Sequence, residues 1–153
     1  MFHSVYLALG TNLGNKNQNL ENGLKLIAER IGTLSAVSSI YETEPWGFDS
    51  PNSFLNMAVK IETELYPFDL LNKTKELEYE LGRTQKTTQN YQDRIIDVDI
   101  ILYDDLILQS EQLILPHPLF HQRDFVLKPL IEITPDLIHP VFGKAISELK
   151  KSF

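Results

Sequence analysis

What most constrains this chain is the order in which two hydrophobic periods alternate along it. Phe2 to Leu9 is apolar and β-prone and stops at Gly10-Thr11-Asn12-Leu13-Gly14-Asn15, a cluster of turn residues, so it reads as a strand followed by a glycine loop. From Asn17 to Arg30, Leu20, Leu24, Ile27 and Ile31 recur at helical spacing, with Gly32 as a stop. Leu34 to Tyr41 reads as a second strand, followed by a long loop whose Pro45, Gly47 and Pro51 forbid regular structure. Phe54 to Leu65 alternates, placing Leu55, Met57, Val59 and Ile61 on one face, and is expected to be a half-buried strand. Pro67 to Leu81 is a second helix, with Pro67 in its first turn, Leu70, Leu71, Thr74, Leu77 and Leu81 on its inner stripe, and Gly82 at its end. A polar stretch follows over residues 83–93, and strand character returns from Arg94 to Tyr103. Strand, helix, strand, strand, helix, strand is the split βαβ or ferredoxin-like order, an α+β antiparallel sheet backed by helices. Beyond it the pattern predicts a hairpin over residues 106–115. It also predicts a helical stretch from Arg123 to Ile133 disturbed by Pro129, and a terminal helix from Lys144 to Lys151.

The 153 residues are expected to form one domain, 1–153, since no linker or repeat divides them. No window reaches the run of about eighteen apolar residues that spans a bilayer, and no basic segment precedes the first strand, so a soluble cytoplasmic protein is expected. With no cysteine, disulfides, thiolate nucleophiles and cysteine-ligated metals are excluded. A net charge of −7 argues against general nucleic-acid or anionic-membrane binding, which needs summed positive charge, while leaving room for a small anion held by a local cation cluster.

The most informative segment is Arg94-Ile95-Ile96-Asp97-Val98-Asp99-Ile100-Ile101-Leu102. Period two puts Ile96, Val98, Ile100 and Leu102 on one face and both aspartates on the other, their Cα atoms roughly 6 to 7 Å apart. At an effective dielectric of about 20 such charges repel by about 2 to 3 kcal/mol. A solvated strand face would relieve this, and so would a divalent metal. Oxygen-only ligands favour Mg²⁺, which binds through one or two carboxylates and substrate phosphates. Arg83, Lys86 and Arg94 lie in or beside the preceding polar stretch, and His117, His121 and Arg123 follow. Each alone reads better as an ordinary surface or packing residue, but together they suit polyphosphate transfer. Neither a G-x-x-x-x-G-K-[ST] nor a G-x-G-x-x-G loop occurs, nor a G-x-S-x-G elbow, nor an H-E-x-x-H zinc site. Thr43-Glu44-Pro45-Trp46, with Phe54, Asn56 and Phe125, offers aromatic faces and an amide able to hold a flat heterocycle. Phe54 as core and Trp46 as a loop anchor are the plainer alternatives.

Five ordered motifs carry a resemblance. They are Gly10-Thr11-Asn12-Leu13-Gly14, Phe54-Leu55-Asn56, Leu81-Gly82-Arg83, Arg94 through Ile101, and Pro116-His117-Pro118 through Arg123-Asp124-Phe125 to Leu130. Over residues 7–139 the chain resembles the 6-hydroxymethyl-7,8-dihydropterin pyrophosphokinases, ferredoxin-like folate-pathway enzymes that move a diphosphate from ATP to a pterin alcohol and release AMP. The resemblance implies that Asp97 and Asp99 hold two Mg²⁺ ions. It implies that Thr43, Pro45, Trp46, Phe54, Asn56 and Phe125 line a pterin pocket, with Phe54 and Phe125 flanking the ring and Asn56 bonding its edge. Arg83 and Arg94 fall at catalytic positions beside the aspartates, and Glu78, Lys86, His117 and Arg123 at nucleotide or phosphate contacts. Small-molecule substrates and a monomer are the partners expected.

The chain departs from that pattern at Asn90, Gln92 and Asp93, where the family carries a cation and a Gly-Pro step, and at Gln112, where an arginine is frequent. Lys86 substitutes for an arginine without its bidentate fork. Glu44 and Trp46 also replace smaller or aliphatic residues. The main competing reading is a non-catalytic binding module on the same scaffold. A nucleic-acid binder of similar shape is disfavoured by charge and by the missing aromatic sheet motif.

Overall fold

The computed structural model describes residues 1–44, 53–82 and 95–149. Its first strand, β1 (His3–Thr11), is apolar on both faces, with Val5, Leu7 and Leu9 against one core cluster and Tyr6 and Ala8 against another. A strand clad on both sides belongs inside a sheet. β1 accordingly lies between two antiparallel neighbours, β4 (Phe54–Thr63) and β5 (Asp97–Tyr103). The outer edge of β4 is covered by β2 (Thr33–Val37) and, further along, by β3 (Tyr41–Thr43). The sheet order is β2-β4-β1-β5, with β3 paired to β4 beside that path.

Two helices cover the first face. In α1 (Lys16–Arg30) the Asn15 side chain caps the first turn by accepting from the Gln18 N–H, and Leu20 and Ile27 turn inward. In α2 (Pro67–Glu80), Pro67 opens the helix where its missing N–H costs nothing, and Leu70, Thr74, Leu77 and Glu78 are buried. The second face carries α3 (Asp124–Ile133), preceded by a single 3₁₀ turn over Phe120–Gln122, with the short α4 (Ile146–Leu149) beside it. A small hairpin, β6 (Leu108–Gln109) and β7 (Ile114–Leu115), links the sheet to that layer.

The sequence pattern is corrected at five places. β1 does not stop at Gly10 but pairs through Thr11. The strand expected over Leu34 to Tyr41 is two strands, because Ser38 leaves the regular ladder and its hydroxyl accepts from the Ala58 N–H. β4 is buried on both faces, not half-buried, since Ala58 faces the layer of α3 while Met57 and Val59 face α1 and α2. The pairing of β1 with β5 shifts between Tyr6 and Leu7, a bulge that moves Leu102 from the face of Val98 and Ile100 to the face of α3. Finally, Pro129 lies inside α3 without ending it; the helix forgoes only the bond its N–H would have made, and the ring is buried in the core.

Candidate active site

Strand register brings the site together. Gly10 in β1 pairs with Asp97 on one side and with Asn56 on the other, and Ala8 likewise joins Asp99 to Ala58. Both aspartates therefore project from the same face as Asn56, toward the layer that holds α3. Across β4 the register continues to β3, where Tyr41 stands opposite Asn56 and Thr43 opposite Phe54. The Asn56 amide is buried and its Nδ2 donates to Thr43 Oγ1 at 2.7 Å.

These residues border a cleft of about 480 Å³. Thr43, Glu44, Phe54 and Asn56 form one wall, Phe125 and Val126 of α3 the other, and Gly10, Asp97 and Asp99 lie along its base. A second cleft, of about 880 Å³, opens on the far side of β5 between α2 and the hairpin. Lys75, Glu78, Gln112, Ile114 and His117 are among its lining. Among the described residues, Asp97 and Asp99 are the two that line both.

Because β5 ends the sheet, its outward backbone groups need partners from elsewhere. Glu78 is buried and its Oε2 accepts from the Val98 N–H at 2.7 Å, which brings a third carboxylate beside the two aspartates. The electrostatic result is read at Asp99, whose carboxyl is held well above the ordinary range, first by burial and then by the charges of Asp97 and Glu78, with Arg123 opposing. Arg123 is buried at the N-terminus of α3, its guanidinium carbon 6.0 Å from the centre of the Phe125 ring. His117 feels two of these charges, those of Arg123 and Asp97. Burial, helped by Arg123, lowers it to about 4, while Asp97 pulls the other way, so its ring is neutral at pH 7. Its Nδ1 accepts from the Leu119 N–H at 3.3 Å, which leaves Nε2 as the N–H donor.

Of the residues singled out from the sequence, Thr43, Phe54, Asn56, Asp97, Asp99 and Phe125 line the smaller cleft, and Glu78, His117 and both aspartates line the larger. Arg123 is buried next to them. His121 lines a different cleft, with His139 and Phe142. Pro45, Trp46, Arg83, Lys86 and Arg94 lie outside the described residues. The sequence pattern does not mark Gly10, Val126 or Lys75 as site residues. Lys75 is legible in principle, because Leu71, Lys75 and Glu78 recur at helical spacing on the flank of α2 that meets β5.

The donor set fits a hard divalent cation: oxygen-only, built on two same-face carboxylates, and so crowded that Asp99 holds its proton more tightly than usual. Among the described residues no group of three or more histidine or acidic side chains has the geometry of a closed metal site, so substrate oxygens would have to complete the shell. No helix among them is long and apolar enough to cross a membrane.

A 2-amino-4-hydroxy-6-hydroxymethyldihydropteridine pyrophosphokinase of Porphyromonas gingivalis is 49% identical over 138 residues, covering 89% of this chain and 93% of its own. Proteins of the same name from Bacillus subtilis and Aquifex aeolicus are 44% and 37% identical, over 87% and 96% of this chain and 79% and 90% of theirs. In structure, the wild-type HPPK-DHPS of Plasmodium falciparum superposes with a TM-score of 0.81 at 17% identity, over 99% of this chain and 43% of that one, so this chain spans less than half of that longer protein. The family model for 7,8-dihydro-6-hydroxymethylpterin-pyrophosphokinase matches residues 6–135, and with that extent and those relatives the chain belongs to this family.

Proposed function

We propose that this protein transfers diphosphate from ATP to the hydroxymethyl group of 6-hydroxymethyl-7,8-dihydropterin, releasing AMP, in folate biosynthesis. The observation that carries the reading is that two clefts of unequal size meet at one carboxylate pair, Asp97 and Asp99. The smaller suits a flat heterocycle between Phe54 and Phe125, with the Asn56 amide and Thr43 hydroxyl at its edge. The larger suits a nucleotide, its phosphates directed toward the aspartates. The reading takes residues 1–153 as one pyrophosphokinase domain on a ferredoxin-like, split βαβ scaffold, which the β2-β4-β1-β5 order supports. A monomeric cytoplasmic enzyme is part of the same proposal.

The chemistry is displacement at phosphorus. The pterin hydroxymethyl oxygen forms a bond to the β-phosphorus of ATP while the bond from that phosphorus to the α,β-bridging oxygen breaks. AMP leaves with that bond's electron pair, and the alcohol proton passes to solvent. No covalent enzyme intermediate is needed, so the protein's contribution is positioning and charge. Asp97 and Asp99 would hold two Mg²⁺ ions, which when bound neutralise charge on the phosphate oxygens. Neutral His117 offers its Nε2–H to a phosphate oxygen without adding charge, and Arg123 brings a fixed cation to the same side. Arg83, Lys86 and Arg94 are assigned to the triphosphate on chain position alone. Excluding water between the Phe54 and Phe125 walls favours the alcohol over hydrolysis.

The test is AMP formation from ATP with and without the pterin alcohol. AMP is expected only when both are present, and EDTA should abolish it. Asp97→Asn and Asp99→Asn should each lower kcat by about 10³-fold or more, while calorimetry finds pterin binding largely intact. Normal turnover in either variant would refute the metal assignment. Pterin binding by wild-type protein without any AMP release would instead support the non-catalytic module.

A further inference from the structure

The pterin wall formed by β3 is a weak element by itself. It has three residues, pairs among the described residues with β4 alone, and ends at Thr43, which with Glu44 borders the cleft. Strands this short need additional anchoring to hold one position. That anchoring comes from α3, the element forming the opposite wall. Glu132, exposed near the C-terminal end of α3, accepts three hydrogen bonds with its carboxylate: from the Ser39 N–H at 2.9 Å, the Ser39 hydroxyl at 3.0 Å and the Tyr41 hydroxyl at 2.6 Å.

The placement follows the two backbone periods. On β3, Tyr41 and Thr43 are two residues apart and share a face, so the strand that reaches Glu132 through Tyr41 reaches the cleft through Thr43. On α3, Phe125 and Glu132 are seven residues apart, two turns along one side and about 10 Å in rise. The Tyr41–Glu132 bond and the pterin cleft are thus successive rungs between the same two elements. Tyr41 is also the cross-strand partner of Asn56, whose amide is held by Thr43.

We propose that Glu132, through Tyr41 and Ser39, is a positioning residue that sets the gap between the two walls of the pterin cleft, with no contact to substrate. The inference rests on the assignment of the smaller cleft to the pterin. The ionisation of the pair agrees with it: the Tyr41 hydroxyl holds the Glu132 carboxyl below its ordinary range, and Glu132 in turn holds Tyr41 above its own.

Two binding titrations test it, the pterin alcohol in the presence of a non-hydrolysable ATP analogue and the analogue alone, together with KM for each substrate and thermal unfolding. Tyr41→Phe and Glu132→Ala should each raise pterin Kd and KM by about tenfold, the size expected for losing a hydrogen bond to a charged acceptor. Analogue affinity and the KM for ATP should stay at the wild-type value. The double variant should be no worse than the worse single one, because both changes remove the same link. Glu132→Gln, which keeps one acceptor oxygen where the carboxylate uses two, should recover part of the affinity. Unchanged pterin affinity in both single variants would overturn the proposal. So would an equal fall in pterin and analogue affinity accompanied by a lower Tm, since that reports general loosening. If wild-type protein fails to bind the pterin, the assignment of the cleft falls and this inference with it. If wild-type binds and the variants match it, only this inference falls.

Discussion

At the scale of the residue, the site shifts the proton affinity of its own groups, lowering that of His117 and raising that of Asp99. His117 illustrates the consequence. Its folded value of about 4 lies below the ordinary 6.5, so between those two pH values the unfolded chain binds a proton that the folded chain refuses. Stability contributed by neutral His117 is fully present above pH 6.5 and is lost as pH falls through the window to about 4. The loss is up to about 3 kcal/mol, at about 1.4 kcal/mol for each tenfold change in proton affinity. Asp99, raised by burial and by neighbouring charge, acts in the opposite sense, favouring the fold as it takes up a proton. The difference between proteins isolates His117: denaturant unfolding of wild type and His117→Gln without divalent metal should diverge from pH 7 to pH 4, the wild type losing more. Parallel curves would mean that the imidazole is not held neutral by burial.

At the scale of the element, β1 allows four strands to build one site. It is the common neighbour of β4 and β5, and at Gly10 it passes directly beneath the smaller cleft. A β-carbon there would stand 3.2 Å from Asn56 Oδ1 and 3.8 Å from the Phe54 ring, so the position stays open only because glycine occupies it. Gly10→Ala is expected to leave the strand intact while displacing the Asn56 amide, weakening pterin binding by about tenfold, in the range of a mild overpacking penalty. Calorimetry with the pterin, set beside thermal unfolding, checks both halves of that statement. The sequence displays Gly10 at the strand's end as a turn residue. Instead Gly10 is paired on both sides, with Asn56 of β4 and Asp97 of β5, and Thr11 with Leu55 of β4, which no local pattern records. The same holds for Ala58, whose burial comes from α3, joined to β4 through a connection much longer than any window of periodicity.

At the scale of the whole molecule, the sheet is a central layer with a core on each side: Leu7, Val59 and Leu77 in one, Ala58, Phe120 and Leu127 in the other. Amides of β1 should therefore exchange most slowly, at rates governed by global unfolding, while α4, four residues long, exchanges through local opening. Native-state hydrogen exchange measures this directly, and faster exchange in β1 than in α4 would contradict the two-core description. The sequence by itself determined the α+β class, the succession of strands and helices, and the same-face placement of Asp97 and Asp99, because each follows from a period of two or about four residues within one segment. Only the tertiary structure decided that Glu78 would join the two aspartates, that a bulge would turn Leu102 to the other core, and that Glu132 would bind Ser39 and Tyr41 from 93 and 91 residues away. Those contacts depend on strand register and layer packing, and their free energy exists only once distant segments are held together.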